Sequence, residues 1–188
     1  MIKRLAIFDL DGTIMNSPEP EVGKVIWQEK TGKQYPFLGW WGRPESLDLD
    51  VFNIKPFSSV LLQFKKEKIT PNTYVVILTS RIEKLRPQVQ AVLDKNNIVV
   101  DKLDMKRAEG NKGIKLLRYV QEFSNLKVIN VYDDRDTDIE AYEAIRSQIP
   151  KGIEFNIYIA NNGTLSLTES SRNNNLLYII RDEIKKLI

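Results

Sequence analysis

The apolar run Leu5-Ala6-Ile7-Phe8 ends at Asp9, and Leu10, Asp11, Gly12 and Thr13 follow, so the chain reads FDLDGT over residues 8–13. A buried strand that stops at a carboxylate, reaches a second one two residues on and turns through glycine brings both acids to the carboxyl end of a sheet. Two acids in that place can hold a hard cation, or divide the work of nucleophile and proton carrier. Asp-Gly after a strand also makes an ordinary turn, so the string acquires chemical meaning only in company.

What the chain lacks narrows that chemistry. It has no cysteine, which excludes a thiolate nucleophile, a disulfide and a thiolate metal site. It has no histidine, which excludes Ser-His and Cys-His pairs, an imidazole base and the usual zinc sites. Carboxylates, Lys, Arg, Ser, Thr and Tyr must then carry any catalysis, with Asp or Glu as the covalent nucleophile. Oxygen ligands alone favour magnesium, manganese or calcium, and magnesium is the metal expected here.

The length of 188 residues suits one domain over 1–188, with a small insertion at about residues 14–73. No apolar run approaches the roughly 18 residues that span a bilayer, and the start Met1-Ile2-Lys3-Arg4 leads into a strand. The chain is therefore expected to be cytoplasmic, without a membrane partner. A net charge of +3 permits a polyanionic substrate without demanding one. The mixed run Lys65-Lys66-Glu67-Lys68 reads as a solvated helix face.

Apolar runs alternate with helical patterns along the chain. Strands are expected at 3–8, 74–78, 98–100, 127–132 and 155–160, the last of these closing the sheet. Helices are expected at 82–93, 113–123, 136–148 and, after a polar stretch, 174–187. Such alternation predicts an α/β fold with an open, mostly parallel sheet between two layers of helices, and ligands at the carboxyl ends of the strands. The other chemistry-bearing residues fall at those ends. Thr79-Ser80-Arg81 follows the second strand, Lys112 opens a helix, and Asp133-Asp134-Arg135 with Asp136 and Asp138 follows the strand ending at Tyr132. Each has a plain structural alternative, as a helix cap, a surface lysine or a solvated helix start. Together they form one constellation of nucleophile, hydroxyl, cation and metal-binding acids.

Four strings in this order, FDLDGT, VILTSR (76–81), NKGIKLL (111–117) and VYDDRDTD (131–138), resemble the motifs of the haloacid dehalogenase superfamily and span most of the chain. The resemblance implies a Rossmann-like three-layer α/β/α core, a Mg2+ ion and phosphoryl transfer through an aspartyl-phosphate. It implies Asp9 as nucleophile and metal ligand, Asp11 as general acid and then base with its carbonyl on the metal, and Asp134 with Asp138 as metal-site acids. It implies Thr79, Ser80, Lys112 and Arg81 around the phosphate. Asp133 could instead be the direct ligand, and Lys115, one helical turn beyond Lys112, is a second candidate for the phosphate. Lys112 is preferred because a helix N-terminus is itself an anion site. A carboxylate at Asp11 is the mark of the superfamily's phosphatases and phosphotransferases rather than its carbon–halogen enzymes.

Only a helix and a short strand fit between Arg81 and Lys112, so the cap is expected to be small or absent. An open site favours an extended phosphoester. Gly39-Trp40-Trp41-Gly42-Arg43 can be read as a base-stacking platform with a phosphate-binding guanidinium, or as a packing anchor for the insertion. FDLDGT followed by Gly-Trp-Trp, LTSR and DDR resembles the branch found in "Swiss army knife" RNA-repair proteins, and DDR also resembles the phosphatase half of polynucleotide kinase-phosphatases. This implies removal of phosphate from RNA or DNA ends or from nucleotides. The chain departs from those proteins in having no kinase P-loop or ligase motif, and in having Asn111 where the branch has an aromatic residue before its lysine. A small-metabolite phosphatase and a non-catalytic protein that binds RNA or a repair complex are the alternatives.

Overall fold

β1 (Arg4–Phe8) is the middle of the sheet because its residues are apolar on both faces, and Leu5, Ala6, Ile7 and Phe8 are fully buried. The computed structural model describes residues 1–106 and 110–172. Around β1 lie β2 (Thr73–Ile82), β3 (Lys102–Lys106), β4 (Val128–Asp133), β5 (Glu154–Asn161) and β6 (Thr164–Leu167), in the order β3-β2-β1-β4-β5-β6. All pairs are parallel except the β5–β6 hairpin at one edge. Alternate residues of β1 serve different layers. Ala6 and Phe8 pack with α2 (Ser58–Ile69) and α3 (Arg86–Lys95), whereas Leu5 and Ile7 pack with α4 (Lys112–Glu122) and α5 (Asp136–Ala144). The fold is therefore the expected three-layer Rossmann-like α/β architecture. Among the described residues no helix is long and apolar enough to cross a membrane.

Between β1 and α2 the chain forms α1 (Pro20–Thr31) and a short 3-10 turn at Pro44–Leu47. These residues build no core of their own: Tyr35, Trp40, Leu47, Phe52 and Ile54 join the cluster that contains Phe8 and Phe64. Trp40 is 3% exposed, and its indole lies so close to Gly23 of α1 that a Cβ there would come within 2.1 Å of the ring. Its Nε1 donates to Pro18 O at 3.0 Å, so the packing reading holds for Trp40.

Several elements differ from expectation. β2 runs on through Thr79, Ser80 and Arg81 to Ile82, with a break in its register against β3 between Leu78 and Ile82. The strand expected at 98–100 begins instead at Lys102, because Asp101 opens the pairing with β2. Its amide donates to Val75 O at 2.9 Å and its carboxylate accepts from Val75 N at 2.8 Å. The helix expected at 136–148 ends at Ala144, with a 3-10 turn at Arg146–Gln148. β5 is not the last strand, since Asn162 and Gly163 both take positive φ, as a two-residue hairpin turn requires, and return the chain as β6. The helix expected at 174–187 lies outside the described residues.

Within residues 65–68, expected as a solvated face, Lys65 and Lys66 are exposed and Lys68 is half-buried, but Glu67 turns inward. It is 1% exposed and accepts hydrogen bonds from Arg4 Nε (2.6 Å), Asn130 Nδ2 (2.6 Å) and Tyr132 Oη (2.7 Å), tying α2 to β1 and β4. Burial alone would raise its pKa, but the bonds from Arg4, Tyr132 and Asn130 together hold it below the usual glutamate value of 4.5. A carboxyl with a depressed folded-state pKa stabilises the fold fully above its unfolded pKa and loses that contribution as pH falls through the folded value. Urea unfolding should therefore show stability falling below about pH 4.5, with a smaller fall in Glu67→Gln. Glu67→Ala removes the acceptor of Arg4, Gln63, Asn130 and Tyr132 and is expected to cost about 3 kcal/mol near neutral pH; a loss under about 1 kcal/mol would show the network to be dispensable.

Candidate active site

Register places the site. Phe8 stands level with Ile77 of β2 and Tyr132 of β4, so Asp9, Thr79 and Asp133-Asp134 emerge together at the carboxyl edge. Asp9 N donates to Tyr132 O at 2.9 Å, which holds Asp9 in line with the sheet. The chain then folds into a tight loop closed by Met15 N to Leu10 O at 2.8 Å and Gly12 N to Met15 O at 2.9 Å. Gly12 is required twice here. Its φ is +80°, and a Cβ would lie 2.3 Å from Asp134 Oδ2. Thr13 Oγ1 donates to Asp134 Oδ1 at 2.9 Å, so the second half of FDLDGT positions an acid 121 residues away.

Lys112 is the first residue of α4, whose N-cap Asn111 accepts from Ile114 N at 3.0 Å. The Lys112 side chain is buried, and its Nζ lies 2.6 Å from Asp9 Oδ1, 2.7 Å from Asp133 Oδ2 and 2.9 Å from Asp138 Oδ2. Burial opposes its charge, but Asp9 and Asp133 outweigh that cost and hold its pKa well above the ordinary lysine value. Burial raises the pKa of Asp9 and Asp133, with the Lys112 charge opposing the rise, and burial with the Asp9 charge beside it pushes Asp134 up to about 6. Lys115 points elsewhere: its Nζ donates to Asp104 Oδ1 (2.6 Å) and Met105 O (2.8 Å).

Asp9, Asp133 and Asp134 each offer an oxygen within 4.8 Å of the others. Opposite ligands of an octahedral Mg2+ are about 4.2 Å apart, so small side-chain shifts would close this set around the ion. The ligand types also fit, being oxygen throughout. Asp138 is on the first turn of α5 and is directed at Lys112 rather than into this set. The geometry thus groups Asp133 with Asp134, where the four-residue spacing had paired Asp134 with Asp138.

Asp11 faces a different partner. Its carboxylate accepts from Arg81 Nε at 2.8 Å and Nη2 at 2.9 Å, a two-point pair that fixes its plane. Arg81 is 2% exposed and uses Nη1 on Trp41 O (2.9 Å) and Ser46 Oγ (2.5 Å), so its nitrogens are all engaged with protein groups. It was expected among the phosphate-binding groups and stands here as the partner of Asp11. Thr79 is buried with its Oγ1 accepting from Arg81 N at 3.1 Å, and Ser80 is exposed.

Ser46 and Thr13 were given no place of their own in the site by sequence reasoning, and Trp41 only one shared with Trp40 in the base-stacking reading. Trp41 was visible only as half of a Trp-Trp pair, Thr13 only as the end of a motif, and Ser46 carries no sequence signal. The Trp41 ring lies 4.9 Å from the Arg81 guanidinium carbon and 5.5 Å from that of Arg135. Arg43, read with the tryptophans as a phosphate contact, instead stacks over Phe37 at 4.3 Å.

No family model matches the chain, and no curated protein matches it. Solved structures do. The Legionella pneumophila effector Ceg4 is 16% identical, with a TM-score of 0.57 over 93% of this chain and 95% of that one. The HAD domain of the Legionella pneumophila effector Lem4 is 17% identical, with a TM-score of 0.54 over 87% of this chain and 88% of that one. A chain of the Pnkp1/Rnl/Hen1 complex is 19% identical, with a TM-score of 0.50 over 85% of this chain, which spans under half (46%) of that longer one. With its central parallel sheet and these structural likenesses, the chain has a haloacid dehalogenase-like (HAD-like) fold.

Proposed function

We propose that this chain is a Mg2+-dependent phosphomonoesterase that acts through an aspartyl-phosphate on nucleic-acid ends or nucleotides. The observation that carries the reading is the division between two neighbouring acids. Asp9 belongs to a cluster with Asp133, Asp134 and Lys112, whereas Asp11 is held apart from it by Arg81. A nucleophile and a proton carrier need that separation, because the first must sit among cations and the second beside the leaving oxygen.

In this reading Asp9, Asp133 and Asp134 hold Mg2+, with the Asp11 carbonyl as a further ligand. The ion, when bound, supplies charge that screens the phosphate from the carboxylates. An Asp9 oxygen attacks phosphorus as the bond to the leaving oxygen breaks, and Asp11 gives that oxygen its proton. Water then attacks the phosphorus, Asp11 takes a proton from it, and the bond to Asp9 breaks to release phosphate. Lys112, Thr79 and Ser80 hold phosphate oxygens, Asp138 keeps Lys112 in place, and Arg81 orients Asp11. The nucleic-acid part of the proposal is supported by the DDR and Gly-Trp-Trp strings and by the fold shared with a chain of the Pnkp1/Rnl/Hen1 complex.

Phosphate release is the first test, with 3′- and 5′-phosphorylated oligonucleotides, mononucleotides and sugar phosphates, in Mg2+ and in EDTA. Release should require Mg2+, and Asp9→Asn should lose at least about 3 kcal/mol of transition-state stabilisation, over a hundredfold in rate. Full activity in Asp9→Asn would overturn the covalent route, and release confined to sugar phosphates would move the substrate to small metabolites. Mg2+ titration calorimetry tests the ligand set separately. Asp133→Asn and Asp134→Asn should each weaken binding by about tenfold or more while Asp138→Asn spares it; the opposite order would restore Asp138 as the ligand. Arg81→Lys keeps the charge but loses the two-point grip, and should lower kcat with little change in KM.

A further inference from the structure

The cations around the site are not equivalent. Lys112 and Arg81 are buried and committed to carboxylates, Lys112 to Asp9, Asp133 and Asp138, and Arg81 to Asp11. Arg135 is exposed, and among the described residues no carboxylate pairs with it. Its guanidinium rests near the Trp41 ring, and its amide donates to Asp133 Oδ1 at 3.2 Å, which fixes its backbone beside the acid cluster.

Trp41 is placed with equal definition. Its neighbour Trp40 is buried against α1, and its own carbonyl accepts from Arg81, so the backbone of residues 40–41 is held at both ends. The Trp41 indole is only partly buried, unlike that of Trp40. Arg81 is bound by the carbonyl of Trp41, so the indole is not needed to anchor Arg81. A partly buried indole, packed at one side against the core cluster, therefore stands beside the arginine that grips Asp11, and the guanidinium of Arg135, with which no carboxylate pairs among the described residues, lies near its ring.

We infer that Trp41 and Arg135 form a subsite for the nucleotide that carries the scissile phosphate, the indole stacking on its base and Arg135 meeting the adjoining phosphodiester. The inference rests on the phosphomonoesterase reading and deepens it, since it names what the leaving group must contain. Asp11 has to lie beside the leaving oxygen, and Arg81 links Asp11 directly to residue 41, so the group attached to that oxygen leaves past the indole. A flat aromatic base suits an indole face in any sequence. The exposed guanidinium adds charge for a second phosphate and has no intramolecular ion pair to break among the described residues. Substrates with a base and a diester are thereby favoured over mononucleotides, and mononucleotides over sugar phosphates.

The test compares wild type, Trp41→Ala, Trp41→Phe and Arg135→Ala on a phosphorylated single-stranded hexanucleotide, the same strand with an abasic terminal nucleotide, and the matching mononucleotide. Trp41→Ala should raise KM on the base-bearing strand by about tenfold or more, Trp41→Phe by less, and both should have a much smaller effect on the abasic strand. Arg135→Ala should raise KM on both strands, most at low salt, and by much more than on the mononucleotide. Equal effects of Trp41→Ala on base-bearing and abasic strands, or an effect on kcat alone, would overturn the stacking role. If wild type releases no phosphate from any substrate, the phosphomonoesterase reading fails on its own. Binding of the same strands to wild type and Trp41→Ala, followed by fluorescence anisotropy, then decides the subsite, and equal affinities would overturn it.

Discussion

Lys112 Nζ touches carboxylates that come from the end of β1, the end of β4 and the first turn of α5, and it does so from the first turn of α4. Taking an ammonium and three carboxylates out of water is costly, and their attraction repays the cost only when the geometry is close. The distances of 2.6 to 2.9 Å meet that condition. Every element that reaches this point is thereby referred to one atom. Burial shifts Asp9, Asp133 and Asp134 upward and the neighbouring acids add to the shift; the cluster still carries more negative than positive charge, which is why an added hard cation would be welcome there.

The sheet makes that convergence affordable. β1 lies between β2 and β4 in parallel register, so three strand ends come together at the carboxyl edge, flanked by apolar layers on both sides. Glu67 does the corresponding work below the site, where it satisfies Asn130 and Tyr132 on β4 and Arg4 on β1. Tyr132 stacks on Phe8 at 4.2 Å and on Tyr158 at 4.8 Å, so the strand that delivers Asp133 is fixed by ring packing as well as by the ladder.

The parts legible in sequence were those with an unambiguous pattern. β1, β2 and β4 are apolar on both faces, and such runs have few other places to go. β3 was missed because Lys102–Lys106 alternates in the manner of an edge strand, with Asp104 turned toward Lys115 and Tyr119, while Ile98-Val99-Val100 looks more strand-like. That apolar triplet is divided by its environment, since Ile98 is buried and Val99 is 72% exposed. β6 was missed although Asn162-Gly163 is a hairpin signal, because Asn161 and Asn162 were read as part of a polar stretch. Glu67 was hidden by its lysine neighbours, and nothing local to residue 67 announces Arg4, Asn130 or Tyr132 as partners.

The site divides along the same line. Motif order brought the acids, the hydroxyls and the lysine to one sheet edge, since order and strand ends are properties of the sequence. The direction of each side chain depends on groups far along the chain. Asp138 turns to Lys112 from another helix, and Arg81 is drawn to Asp11 by two nitrogens while Ser46 and the Trp41 carbonyl take the third. The two tryptophans show how finely this is settled. The chain turns at these residues, with Arg43 N donating to Trp40 O at 3.0 Å, and the turn sends Trp40 into the core against Gly23 and leaves Trp41 at the rim beside Arg81 and Arg135. One indole is thus the packing anchor, and the anchor is what holds the other beside Arg81 and Arg135.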